Sequence, residues 1–410
     1  MEGKSSERFL KEKCPNVEIK IFDDHNPSFG SCVSCEFKRA CQDADAIVVS
    51  AGISREKVAE EYREKCTSNV EMFFHNIGEK SRKKIIAIGG TKGKSTTTKF
   101  CAEFLNEAGL NAKIGGNYGT PLLDLFDDIE NQKIEYIVAE LSSFQLEHLN
   151  VSPHIAIFLN LFPDHLDRHG DIKEYFSAKQ NLWRHQTKED FLIVPEVFLD
   201  PIAHTHPKGR LLSAPSLEKE TFPEHSIFRA NHFLENFGTV AFVGQILQIE
   251  LTPHFLAKTA EQFTGLPHRL ELFAEKNNVR FYNDSISTNV GSALAAIEFF
   301  QDSLGSIILG GQDRKQDFSY LCETLPKIAP NAFVIVYESE ISPLLIQTLK
   351  EHDVPFYSAK TLEEAAEIAV KKTPKKSHCV FSPAAPSFDV FKNYIERGNL
   401  WKEYVNNLTK

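Results

Sequence analysis

The chain has 410 residues, too many for a single compact core, and predicts two to three domains. Its 42% hydrophobic and 25% charged residues are ordinary for a globular protein. A net charge of −10 and a pI near 5.9 argue against a nucleic-acid-binding surface and leave room for a local site for an anionic small molecule.

No secretory signal and no apolar run near 18 residues is present, so a soluble cytoplasmic protein without a membrane partner is expected. Strand-like runs alternate with helical patterns, the mark of an α/β protein with mostly parallel sheets. VEIKIF (17–22) and AIVVS (46–50) read as short buried strands. EKSRKKI then reads as a charged linker, ahead of a second series. That series runs from IIAIG (85–89) through a helix over about 95–108 to YIVAE (136–140) and HIAIFLNL (154–161). Residues 200–225, rich in Pro, His and Ser, read as loop. GLPHRLE (265–271) opens a third unit with strands VRFYND (279–284), SIILGG (306–311), AFVIVY (332–337) and HCVFSP (378–383).

IIAIGGTKGKSTTTKF carries the chemistry most plainly. Gly89, Gly90 and Gly93 let the backbone turn its N–H groups onto phosphate oxygens, and the helix that follows adds its positive end. Lys94 can reach the β- and γ-phosphates, and the Ser95 hydroxyl can ligate Mg²⁺. The spacing departs from G-x-x-x-x-G-K-[ST], because Ile88 stands at the first glycine. Mg²⁺ needs hard oxygen ligands, and Glu140, at the carboxyl end of YIVAE, is placed to give one. In NLFPDHLDRHG, His165 fits a second metal ligand or an acid/base as readily as a helix-capping loop. Lys179, in EYFSAKQNLW, taken alone reads as a solvated helix lysine. Polar clusters NDSISTN, GGQDRKQDF and SPAAPSFDVFKNYIERG follow three strands of the third unit and suggest a binding surface. Cys32 and Cys35, with Cys14 and Cys41 nearby, could form a metal knuckle, but no second spaced pair completes it, so incidental thiols are expected.

The order GTKGKST, GGNYGTP, ELSSFQLE, NLFPDHLDRHG, HFLEN, GLPHRLE, NDSISTN, GGQDRKQDFS and SPAAPSFDVFKNYIERGN resembles the Mur ligases, in particular those that add glutamate to UDP-N-acetylmuramoyl-L-alanine. The resemblance runs from residue 17 to the C-terminus. It accounts for the loop spacing, since this family uses G-T-[NK]-G-K-[ST]. It implies three α/β domains: a Rossmann-like UDP-sugar domain (1–80), a central P-loop ATPase-like domain (81–264) and a C-terminal Rossmann-like amino-acid domain (265–410). ATP would phosphorylate a carboxylate, and glutamate would attack the acyl phosphate. By the same resemblance Gly90, Thr91, Gly93, Lys94, Ser95 and Thr96 hold the ATP phosphates, with Asn236, Arg269 and Asp284 also contacting ATP. Two Mg²⁺ ions would use Ser95, Glu140, His165 and Lys179, the last as a CO₂-derived carbamate, which reverses its reading as a solvated lysine. Lys94, His165 and Lys179 would form the catalytic set. Asp23, Asp24, Gly52, Asn117 and Ser142 would contact the UDP-sugar, and Arg314, Ser387 and Tyr394 the glutamate. A monomer is expected.

Three features depart from the family pattern. The chain begins at MEGKSSERFL, where family members already enter the first helix, so the opening strand and its glycine-rich loop are expected to be missing. Ile286 stands where many members have lysine, and Phe233 where asparagine is common. Open alternatives are an L-glutamate-adding variant, a folylpolyglutamate-synthase-like ligase and a non-catalytic nucleotide-binding protein.

Overall fold

The computed structural model describes residues 1–408 apart from 25, 27, 33, 215–221, 223–230 and 264; the side chains of 167 and 231–233 also lie outside the description, and with them the departure at Phe233. The chain divides into two compact units, Met1–Phe263 and Thr264–Lys410. The first holds strands β1 (Ile47–Val48), β2 (Cys66–Thr67), β3 (Ile85–Gly89), β4 (Ala112–Gly116), β5 (Tyr136–Glu140), β6 (Ile155–Phe158), β7 (Phe191–Pro195) and β8 (Arg210–Ala214). Strands β3 to β8 form a parallel sheet in the order β4-β5-β3-β6-β7-β8. Parallel strands are covered on both faces, so β3, the central strand, reads as an unbroken apolar run buried at every position. Ile85, Ala87, Ile137, Ala139 and Phe158 pack with Phe73, Phe74 and Trp183 in one large core. The strand order reverses at β3, which sets the carboxyl ends of β5, β3 and β6 side by side around a crevice.

Several expectations fail in this unit. VEIKIF forms no ladder: Phe22 makes a single bridge to Gly30, and Val17 and Ile21 are 38% and 37% exposed. A strand is stable only beside a partner strand, and beyond that one bridge no described strand pairs with this run. The run 46–50 shortens to β1, which among the described strands pairs with β2 alone. EKSRKKI is no free linker. Its helix Glu79–Arg82 is tied down by Arg82, which donates to Ser152 O (3.2 Å) and Asp190 Oδ1 (3.0 Å). Within 199–214 the loop holds only for 204–209, between a helix (Leu199–Ala203) and the edge strand β8; most of 215–225 lies outside the described residues.

The second unit contains β9 (Glu271–Lys276), β10 (Val279–Asn283), β11 (Leu304–Leu309), β12 (Phe333–Tyr337), β13 (Phe356–Ala359) and β14 (His378–Phe381), in the order β13-β12-β11-β14-β10-β9. Among the described strands of this unit only β9 runs antiparallel. Side chains alternate between two cores, as a period of two requires. Tyr282, Ile307, Leu309, Val334, Val336 and Val380 fill one; Phe281, Ile308, Ile335 and Phe381 fill the other with Trp401. The carboxyl ends of β11, β14 and β10 are neighbours.

Candidate active site

The loop after β3 turns at Gly90 (φ 137°) and Gly93 (φ 82°), both in backbone regions that favour glycine. A Cβ on Gly90 would lie 3.2 Å from Asn160 N, and one on Gly93 would lie 2.8 Å from Asn236 Nδ2, so Asn236 sits against the loop. The helix Lys94–Glu107 starts at Gly93, and its first backbone bond closes from Thr97 N to Gly93 O (3.0 Å). Its opening amides, around Ser95 and the buried Thr96, precede that first bond and carry the positive end of the helix, an arrangement that suits an anion. Lys94 Nζ donates to Thr91 O (2.9 Å), folded back along the loop.

Asn160, just past β6, holds this loop. Its Oδ1 accepts from Thr91 N (3.1 Å) and Lys92 N (2.8 Å), and its Nδ2 donates to Lys92 O (3.0 Å). The Thr91 hydroxyl accepts from Phe162 N (3.0 Å) and meets Tyr175 OH (3.1 Å). Sequence reasoning passed over Asn160 and Tyr175. The only available signal was an asparagine directly after a strand at the sheet's functional edge.

Glu140 ends β5 and is 2% exposed. Oε1 accepts from Asn117 Nδ2 (2.6 Å), while Oε2 is buried without a hydrogen-bond partner. A buried carboxylate oxygen left bare is costly unless a cation or donor comes to it. Gly116 (φ 95°) lets the chain pass, since a Cβ there would lie 2.3 Å from Glu140 O. Lys179 is 1% exposed, not solvated: its helix turns that face onto the loop, where Nζ donates to Gly90 O (2.7 Å) and lies 4.6 Å from the centre of the Tyr175 ring. Burial, assisted by the Lys94 charge, brings its pKa down to about 7. The donor set of Ser95, Glu140 and Lys179 suits a hard cation only if Lys179 supplies oxygen instead of N–H. Among the described residues no three His, Cys, Asp or Glu side chains gather as a metal site, and all eight cysteines are free thiols.

His165 (φ 53°) starts the short helix Leu166–His169, half exposed, with its ring 5.0 Å from Phe144. Ser142 caps the helix Ser143–Leu146 in a reciprocal box with Gln145. Gly52 lies in a turn closed by Ile53 N to Ser50 O (2.9 Å), with open space where a Cβ would be. Ser50, Ala51, Ile53, Phe144 and Gln145 line a small cleft with two ion pairs, Arg55 with Glu71 and Arg168 with Glu147. Asp24 Oδ1 accepts from Ser31 Oγ and Cys32 N (both 2.8 Å), bonds that hold its carboxyl below the usual range. Asp23 N bonds Gly30 O (2.9 Å) in the same turn.

In the second unit Asp284 is 4% exposed and accepts from Leu270 N (3.1 Å), Ser382 Oγ (2.8 Å) and Ser287 Oγ. It joins the half-buried Arg269 loop to the ends of β10 and β14. Ser387 is buried, Tyr394 is half-buried at the start of the helix Tyr394–Asn407, and Arg314 is exposed. Ile286 donates its N–H to His268 O (3.1 Å). Burial raises the Asp284 pKa to about 6. A raised carboxyl pKa means the folded state keeps a proton that the unfolded chain releases between about pH 4 and 6. The stability of this unit is therefore fully present below that window, and about 3 kcal/mol is lost as pH rises through it. Asp284→Asn should remove that loss: its stability relative to the native chain, from denaturant midpoints at pH 4.5 and 7, should rise with pH. A constant difference would contradict the burial argument.

The model of the Mur ligase middle domain matches residues 88–250. A UDP-N-acetylmuramoylalanine–D-glutamate ligase from Acetivibrio thermocellus is 33% identical over 383 residues, covering 85% of this chain and 79% of the relative. The chain belongs to the Mur ligase family. A ligase of the same name from Geobacter sp. strain M21 is 32% identical, over 88% of this Mur ligase and 83% of the relative. A crystal structure of MurF from Acinetobacter baumannii superimposes with a TM-score of 0.60 at 18% identity, over 85% and 82% of the two chains, a likeness of fold. Folylpolyglutamate synthase from Thermotoga maritima gives 0.54 at 13% identity, over 83% and 93%, so that fold likeness does not separate the two chemistries. No helix among the described residues of this Mur ligase is long and apolar enough to cross a membrane.

Proposed function

We propose that this Mur ligase joins D-glutamate to UDP-N-acetylmuramoyl-L-alanine in peptidoglycan precursor synthesis, with ATP as the driving substrate. The observation that carries the reading is relatives of that name at 33% and 32% identity over most of the chain, around an intact phosphate loop. A carboxylate is a poor acyl donor. Transfer of the γ-phosphoryl group to the L-alanine carboxylate releases ADP and makes an acyl phosphate. The glutamate amine attacks the acyl carbon, and the tetrahedral adduct collapses to the amide and inorganic phosphate. Gly90, Thr91, Gly93, Lys94, Ser95 and Thr96 cradle the phosphates, and the Lys94 ammonium meets the charge that grows during transfer. Asn236, packed on Gly93, with Arg269 and Asp284, completes the proposed ATP set.

Ser95 and Glu140 would hold one Mg²⁺, and His165 with carbamylated Lys179 a second. Such ions supply charge neutralisation at the phosphoryl group. The bare Glu140 oxygen supports the first assignment. The low-pKa Lys179 amine supports the carbamate: uncharged nitrogen adds to CO₂, loses a proton and becomes an oxygen anion. Protein equilibrated with ¹³C-labelled bicarbonate should show a carbamate carbon resonance that Lys179→Met lacks. Its absence from the native protein would remove the second ligand set.

Residues 1–80 are proposed to bind the UDP-sugar, using Asp23, Asp24 and Gly52 with Asn117 and Ser142 from the central part. The cleft beside Gly52 supports this, with Arg55 and Arg168 on its walls held by Glu71 and Glu147. Residues 81–264 then form the ATP part. Residues 265–410 are proposed to receive glutamate through Arg314, Ser387 and Tyr394. The test is phosphate release from ATP in the presence of UDP-N-acetylmuramoyl-L-alanine. Release with D-glutamate and not L-glutamate is expected; the reverse selectivity would keep the chemistry and change the product.

A further inference from the structure

Phe144, half-buried as the second residue of the helix Ser143–Leu146, is met by three side chains of the segment 165–169. Its ring centre lies 5.0 Å from that of His165 and 5.3 Å from that of His169, which stacks on it at 14°. The Arg168 guanidinium sits 5.0 Å from the same ring. Two further contacts clamp these segments together: His169 Nε2 meets Ser143 Oγ at 3.1 Å, and Arg168 Nη2 donates to Glu147 Oε2 (3.2 Å). Arg168 Nη2 also reaches Ile53 O (3.5 Å), in the Gly52 turn. Phe144 and Ile53 both line the cleft described above.

The helices Ser143–Leu146 and Leu166–His169 have four residues each, too few for either to hold its shape alone. His165 needs holding, because its backbone is left-handed (φ 53°), a conformation that a residue other than glycine keeps only where its surroundings impose it. An aliphatic side chain could line the cleft. An aromatic face also attracts a stacked imidazole and a guanidinium. The His165 imidazole and any group that fills the cleft therefore share one ring. We infer that Phe144 is a positioning residue that couples the two: it sets the His165 imidazole, and a sugar nucleotide in the cleft fixes the ring and, through it, the imidazole. This rests on the sugar-nucleotide reading of the cleft given above.

The experiment has two parts. In the first, the imidazole resonances of the protein in EDTA are followed as UDP-N-acetylmuramoyl-L-alanine is added, with His165 assigned by its loss in His165→Asn. The His165 resonance of the native protein should move as the cleft fills. In Phe144→Leu, at saturating ligand, it should move far less. Phe144→Tyr, which keeps the ring, should respond as the native protein does. In the second part, turnover is measured in a double-mutant cycle. Phe144→Leu should lower kcat about thirty-fold, with the ATP KM within about two-fold. In a His165→Asn background the same change should lower kcat by no more than about two-fold, because a residue that acts through His165 has nothing left to place. An unmoved His165 resonance in the native protein, an equal movement in Phe144→Leu, or a full additional loss in the His165→Asn background would overturn the inference. If Phe144→Leu does not fold, Phe144→Met serves in its place with the same expected outcomes. A native protein that does not bind UDP-N-acetylmuramoyl-L-alanine contradicts the reading of the cleft and this inference together; binding that leaves the His165 resonance in place contradicts this inference alone.

Discussion

Glu140→Gln should reduce turnover about a thousand-fold, the scale of losing a main electrostatic contact to the transferring group. The same change should leave the fold as stable as before or more stable. Glu140 is buried, one oxygen takes the Asn117 amide, and the other has no hydrogen-bond partner. That unpaired oxygen costs stability in the free protein, and glutamine removes the charge while keeping the shape. The backbone bond from Asn117 N to Glu140 O (2.8 Å) is untouched. Opposed effects on activity and stability mark a residue kept for function. Turnover with ATP, and the thermal midpoint of the nucleotide-free protein, check this. A loss of turnover below about ten-fold, or a large drop in midpoint, would mean that Glu140 is mainly structural.

Asn160→Ala should raise the ATP KM about twenty-fold, because the Lys92 amide and the Lys92 carbonyl lose their partner together, and the Thr91 amide keeps only its bond to the Asn160 backbone oxygen. The side chain binds Thr91 N, Lys92 N and Lys92 O, and so sets the curvature that aims the Lys94–Glu107 helix. The glutamate KM should change by no more than about two-fold, since that site is assigned elsewhere. Amide hydrogen exchange at Lys92 should speed up in the variant, because Asn160 Oδ1 is its acceptor. Unchanged exchange and unchanged ATP affinity would show that the glycines alone shape the loop.

The central strands were legible because buried parallel strands are continuous apolar runs, and IIAIG, YIVAE and HIAIF are such runs. The phosphate loop was legible because its glycines and Lys-Ser pair have few other uses between a strand and a helix. VEIKIF misled because alternation describes a strand's faces and says nothing about a neighbour to pair with. The edge strand Arg210–Ala214 was hidden by the prolines and histidines before it. Lys179 looks like an ordinary helix cation in the sequence. Only tertiary packing turns it under the phosphate loop. Asn160 was missed for a related reason: its role depends on β6 lying next to β3, a fact of strand order.

The most direct test of the account follows oxygen. UDP-N-acetylmuramoyl-L-alanine carrying ¹⁸O in its terminal carboxylate would be turned over with ATP and D-glutamate, and the inorganic phosphate analysed by mass. Phosphorylation of that carboxylate predicts one labelled oxygen in each phosphate released and one kept in the amide. Unlabelled phosphate accompanying product formation would mean that no acyl phosphate forms, and would contradict the reading of this site.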